Sequence, residues 1–180
     1  PKSLLRHKRV VSRIGELGPQ TSFQRILLDD AQTRPEEKIK LVPDDEIIRV
    51  VLCSGKVYYD LYEAREAQGL NNVYLLRVEQ LYPFPARALI SELGRFKFAE
   101  IVWCQEEPKN QGAWNFIEPE MEVILTKVRS KPTRMSYAGR KASVGLGWQS
   151  QRTLAEDAGG WTIVGPSAIP FDEGHGVPRE

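Results

Sequence analysis

A chain of 180 residues and 20.5 kDa is long enough for one core with tails and too short for most complete multidomain enzymes. Its 41% hydrophobic and 27% charged residues exclude the disordered, collagenous and fibrous classes, and no apolar run approaches the roughly 20 residues that cross a bilayer. Twenty-five basic against 24 acidic residues leave a net charge of +1, so no global field draws nucleic acid or anionic lipid, and any electrostatic site is local.

Pro1 to Arg13 gathers Lys2, Arg6, His7, Lys8, Arg9 and Arg13 ahead of the first acid, Glu16, which predicts a basic arm or linker over residues 1–20. This start has neither an apolar signal core nor an initiating Met, so it reads as neither a secretory leader nor a natural beginning. Phe23 to Leu28 alternates apolar and polar residues and is closed by Asp29-Asp30, as an edge strand would be. Ala31 to Glu46 turns to Pro, Lys, Asp and Glu, with Pro35 and Pro43 breaking regular structure, and predicts an exposed connector.

Ile47 to Cys53 is a nearly unbroken β-branched run, the pattern of a central strand covered on both faces. Ser54-Gly55 turns the chain into a helix with Val57, Tyr58, Leu61, Tyr62 and Ala64 opposite Asp60, Glu63 and Glu66; Gly69 ends it. Val73 to Val78 is a second buried strand. Pro85 then fits the first turn of a helix carrying Leu89, Ile90, Leu93 and Phe96. Glu100 to Cys104 is a third strand, followed by a polar loop and a helix predicted to start at Pro119 with Met121, Ile124, Leu125 and Val128 inward. Arg134 to Tyr137 reads as a last short strand. Strands alternating with helices imply right-handed crossovers and a mainly parallel sheet between helix layers, an α/β fold. Val144 to Glu180 holds seven Gly and three Pro in 37 residues, against 26 in all 180, and predicts an irregular tail. Leu154 and Ala155 mark at most a short helix, ended by Gly159-Gly160.

In such sheets ligands meet the loops at the carboxyl ends of the strands. Ser54-Gly55-Lys56 opens a helix whose amides suit an anion, but a Walker loop needs more glycine and a hydroxyl residue where Val57 stands; a plain strand-to-helix turn is the preferred reading. No G-x-G-x-x-G follows a strand, which removes the dinucleotide reading. The loop Gln105 to Trp114 is the densest polar cluster. Glu106 and Glu107, adjacent in an extended segment, point to opposite sides, and nothing nearby supplies a nucleophile or metal. An architectural role therefore fits Glu106, Glu107, Asn110, Gln111 and Trp114, with the indole at an interface. His7 and His175 match no metal spacing. Cys53 and Cys104, inside apolar runs, read as reduced buried thiols of a reducing compartment. The cations Lys2, Arg6, Lys8, Arg9 and Lys56 form a candidate regulatory anion site if folding gathers them; solvated or paired cations are the preferred reading.

Three segments carry a resemblance. Val51-Leu52-Cys53-Ser54-Gly55-Lys56-Val57-Tyr58-Tyr59-Asp60-Leu61, Arg77-Val78-Glu79-Gln80-Leu81-Tyr82-Pro83-Phe84-Pro85 and Val102 to Trp114 with its Gln105-Glu106-Glu107-Pro108 and Asn110-Gln111-Gly112-Ala113 core closely resemble the thiamine-dependent decarboxylating subunit of 2-oxoglutarate dehydrogenase. Pro1 to His7 resembles the segment leaving that enzyme's pyrimidine-binding domain. Tyr137-Ala138-Gly139-Arg140 with Ala142-Ser143 resembles its closing motif.

The resemblance implies a transketolase-like carboxyl-terminal domain over residues 21–143. That domain is a three-layer α/β/α sandwich with a five-stranded, mostly parallel sheet and one antiparallel strand, here Phe23 to Leu28. It further implies thiamine diphosphate and magnesium held by upstream domains of a homodimer. No cofactor is therefore expected on this chain, no catalytic residue transfers to it, and its job is assembly and regulation. Implied partners are those upstream domains, the second copy, the dihydrolipoyl succinyltransferase core and an acyl-coenzyme A or nucleotide effector, with bacterial cytoplasm ahead of mitochondrial matrix. Val144 to Glu180 departs from the family as a divergent or frame-shifted tail. The rival reading is an autonomous nucleotide or acyl-coenzyme A binding module that uses the basic cluster.

Overall fold

β-branched runs separated by amphipathic helices become, in a computed structural model that describes residues 4–34, 36–128 and 134–142, five strands and four helices. The strands are β1 (Ile26–Leu27), β2 (Arg49–Cys53), β3 (Val73–Val78), β4 (Glu100–Cys104) and β5 (Ser136–Ala138). The helices are α1 (Asp30–Thr33), α2 (Val57–Gln68), α3 (Ala86–Leu93) and α4 (Trp114–Val128), with short 3-10 turns at Leu4–Arg6 and Ile14–Leu17 in the arm. The sheet order is β1-β3-β2-β4-β5. β1 runs antiparallel to β3, and the other pairs are parallel, as expected of the odd first strand. The expected tail over 144–180 and Lys2 lie outside the described residues.

Alternation along the strands sorts the core into two layers. Val50, Leu52, Tyr74, Leu76, Ile101 and Trp103 meet α3 and α4 on one face; Val51, Cys53, Val73, Leu75, Val102 and Cys104 meet α2 on the other. All five residues of β2 are buried, Arg49 included, because its guanidinium donates to Glu100 Oε2 at 2.7 and 2.9 Å on the neighbouring strand. Gly69 stops α2 in the left-handed conformation, φ 65°, which a residue with a Cβ adopts only at a cost.

Two expectations are corrected. The stretch from Ala31 to Glu46 is not simply an exposed connector: α1 runs into it as far as Thr33, and Ala31 and Ile39 are buried, as are Asp29 and Asp30 just ahead of it. The reason is a counter-charge from elsewhere in the chain. Arg65, also fully buried, grips the Asp29 carboxylate with both Nη atoms, and the same carboxylate accepts the N–H of Leu75 at 2.7 Å and of Ala31 at 2.8 Å. The second correction concerns α4, which begins at Trp114 rather than Pro119, leaving the proline inside the helix. Its first turn is fixed from outside, by the side chain of Gln105.

Candidate functional site

β2 leads to α2 on one face, and β4 leads to α4 on the other, so the loops after these two neighbouring strands diverge. Divergence opens a crevice at the carboxyl ends, where α/β sheets place their ligands. The crevice is a cleft of about 660 Å³ lined by Ser54, Gly55 and Lys56 from one loop, Gln105 to Glu107 with Gly112 and Ala113 from the other, and Leu81, Tyr82, Trp103 and Phe116. Tyr82 and Phe116 remain 82% and 42% exposed.

Gln105, which follows the last residue of β4, organises one wall. Its Oε1 accepts from the indole Nε1 of Trp103 at 2.9 Å and from the Trp114 N–H at 3.1 Å, so it caps α4. Its Nε2 donates to the carbonyl of Gln111 at 2.8 Å and to those of Glu107 and Pro108 at 3.2 Å each. Every amide atom is used, and the side chain is buried. Gly112 closes over it with φ 66°; a Cβ there would lie 3.0 Å from Gln105 Nε2. The outer support is Tyr137, whose hydroxyl bonds the Glu107 and Arg140 carbonyls at 2.9 and 3.1 Å; burial pushes its hydroxyl up to about 12.

The residues singled out from sequence separate into three places. Trp114 is buried within the domain, edge-on to Tyr137 at 5.0 Å, so its ring offers no surface to a partner; Glu107, Asn110 and Gln111 are exposed around it. Glu106 Oε1 faces Lys56 Nζ at 3.6 Å across the cleft rim, and Lys56 also bonds Asp60. Arg9 donates to Glu66 at 2.6 Å and Glu37 at 3.3 Å, toward the other end of α2, about 15 Å along the axis from Lys56 for a separation of ten positions at about 1.5 Å each. Arg6 and Lys8 are exposed. The fold therefore does not gather the four cations into one site; Arg9 and Lys56 each already face two carboxylates.

The chemistry of this lining is limited. It holds no histidine or thiol, and among the described residues no group of three His, Cys, Asp or Glu is placed to hold a metal. A magnesium diphosphate does not fit this donor set, because the one cation in the lining is held by Asp60 and Glu106. Burial pushes the thiols of Cys53 and Cys104 well up; they are register partners on β2 and β4. Both should resist a maleimide in the native chain and react fully once denaturant is added; modification without unfolding would contradict their burial.

Sequence reasoning missed Gln105, Tyr82 and Phe116 as the parts that shape this cleft. A signal for the first was present: a glutamine directly after a buried strand, two residues beyond a tryptophan whose indole N–H needs an acceptor.

The family described as 2-oxoglutarate dehydrogenase C-terminal matches residues 11–158. The chain is 64% identical over 143 residues to the 2-oxoglutarate dehydrogenase E1 components of Brucella anthropi and Brucella ovis, and 62% identical to that of Brucella abortus. Each alignment covers 79% of this chain and 14% of the relative, so the chain corresponds to a small part of these proteins.

Proposed function

Because the chain belongs to the 2-oxoglutarate dehydrogenase C-terminal family, we propose that it is the assembly domain of the decarboxylating subunit of that enzyme, over residues 21–143. In the whole subunit, 2-oxoglutarate would be converted to a succinyl group on the lipoyl arm of the dihydrolipoyl succinyltransferase core, in the bacterial cytoplasm. Thiamine diphosphate and magnesium supply that chemistry when bound; the rest of the subunit would hold them. What supports the assembly role is the cleft, built by a fully bonded glutamine yet left with two aromatic side chains in solvent. Exposed rings beside a rigid polar loop suit the core of a protein interface, where aromatic residues concentrate. The exposed Glu107, Asn110 and Gln111 form its rim.

The test is the full-length subunit carrying Tyr82→Ser with Phe116→Ser. The pair should weaken subunit assembly by sedimentation, at least about tenfold for two anchors of the size usual in interface centres. Amides of 105–114 should exchange more slowly in the parent subunit than in this chain. An unchanged mass distribution with equal exchange in both would refute the role. Against an autonomous acyl-coenzyme A or nucleotide module stand the separated cations: Arg6, Lys8, Arg9 and Lys56 do not converge, and titration of this chain with acetyl-coenzyme A or AMP should give no saturable heat.

A further inference from the structure

More negative charge stands at the mouth of the cleft than the domain neutralises. Lys56 bonds Asp60 and faces Glu106 Oε1 at 3.6 Å, so its ammonium already serves two carboxylates. Glu107 lines the same cleft, is exposed, and has no cation within ion-pair distance among the described residues. Asp60, Glu106 and Glu107 against Lys56 make a local charge of −3 and +1, a net −2, opposite in sign to the +1 of the whole chain. The cations that border this loop are engaged elsewhere. Arg140 donates its Nε to the Glu106 carbonyl at 3.1 Å and pairs with neither carboxylate. Lys109 lies over the rings of Trp114 and Tyr137.

The surplus is carried on a fixed backbone beside apolar walls. Adjacent side chains of an extended segment diverge, but the chain bends at Glu106 and Glu107, and both residues line the cleft. Gln105 Nε2 pins that bend through the carbonyls of Glu107 and Pro108. The walls add Leu81, Ala113 and the exposed rings of Tyr82 and Phe116, with Phe84 edge-on to Phe116 at 6.5 Å. These features select among occupants. An anion would have to draw Lys56 away from two carboxylates. A wholly apolar group would take Glu106 and Glu107 out of water without a partner, which is costly. A guanidinium meets both demands: its flat face stacks on aromatic rings, its N–H fork matches a carboxylate, and it is more weakly hydrated than an ammonium. Arginine is also, with tyrosine and tryptophan, the residue that most often anchors an interface.

We propose that the cleft receives an arginine side chain from an apolar segment of its partner, the guanidinium lying against Tyr82 and Phe116 and pairing with Glu107 and Glu106. The inference rests on the reading of the cleft as an interface core and gives that interface its chemistry. Lys56 stays with Asp60, and the apolar neighbours of the arginine fill the rest of a cleft of about 660 Å³.

Sedimentation of the full-length subunit tests the anchor. Glu106→Gln with Glu107→Gln removes the charge and keeps the shape. The pair should weaken assembly at least about tenfold, as expected when a buried charge loses its partner, and should flatten the dependence of assembly on salt. Lys56→Met should leave assembly unchanged or tighten it, since Glu106 is then free for the guanidinium. Melting of this 180-residue chain should be the same with and without the two glutamines, which separates a lost contact from a lost fold. If the pair melts lower, Glu107→Gln alone decides, because that carboxylate has no partner within the chain: unchanged assembly there overturns the proposal. A weaker assembly with Lys56→Met and a tighter one with the two glutamines would mean that an anion enters, and overturns it too. Where Tyr82→Ser with Phe116→Ser weakens assembly while the two glutamines change neither its strength nor its salt dependence, the assembly role stands and the arginine anchor falls. Where neither pair has an effect, both fall.

Discussion

Asp29→Ala is expected to lower the unfolding free energy of this chain by about 3–5 kcal/mol, the range found when one member of a buried ion pair is removed and the other is left charged. Against a typical domain stability of about 5–15 kcal/mol, that is enough to unfold a large share of molecules near body temperature. Three losses coincide. Arg65, fully buried, would retain the Val73 carbonyl at 3.0 Å and the face of the Tyr62 ring, and no carboxylate. The Leu75 N–H would lose its acceptor. Continuing the antiparallel register of Ile26 with Val78 and Leu27 with Arg77 sets residue 29 opposite Leu75, so the carboxylate takes a ladder N–H that the two-residue β1 leaves open. The Ala31 N–H would lose its cap, which alone is worth about 1 kcal/mol. Arg65→Met should recover part of the loss when combined with Asp29→Ala, since the stranded charge goes while the two orphaned N–H groups remain. Urea unfolding of the two single variants and the double variant checks this; strictly additive effects would mean the pair is not coupled.

The position of this hub explains what was and was not legible beforehand. Val73 to Val78 and Glu100 to Cys104 are read from sequence with the bounds the structure shows, because strands buried on both faces are continuous apolar runs whose neighbours are strong turn formers. Two acids followed by a connector rich in Pro and Lys look solvated, and nothing local says otherwise. The partner is 36 residues away. Arg65 does lie on the buried stripe of α2, at i+3 and i+4 from Tyr62 and Leu61, so helical periodicity places it inward once its charge is set aside. Pro119 misled for a similar reason. A proline is a good first residue of a helix, but α4 is capped at Trp114 by a side chain nine positions earlier, a long-range bond that outweighs the missing N–H at the sixth residue. The cleft's location followed from the order of strands and helices; its occupancy by Tyr82 and Phe116 did not, since one comes from a turn and the other from the outer side of α4.

Gln105→Ala carries the second large effect. It strands two donors, the Trp103 indole and the Trp114 N–H, and deprives three carbonyls of their amide. Buried groups left unbonded cost about 1–3 kcal/mol each, but this side chain borders the cleft, so water reaches part of the vacated space and the net loss should be about 2–4 kcal/mol. Exchange at the amides of 107–116 should quicken more than that of β3 on the far side of the sheet. Gln105→Glu separates acceptor from donor. A carboxylate still accepts from both N–H groups and donates to none of the three carbonyls, which then face a negative charge. Burial and those carbonyls favour the protonated acid, so the folded-state pKa of the new Glu lies above its ordinary value of about 4.3. The folded chain then binds the extra proton more tightly than the unfolded one, and stability falls as pH rises from about 4.3 through the raised value. Relative to the parent chain, Gln105→Glu should therefore be least destabilised in acid and progressively weaker toward neutral pH. Urea midpoints measured for both proteins across that range check it: parallel curves would show that the amide nitrogen does not hold the loop.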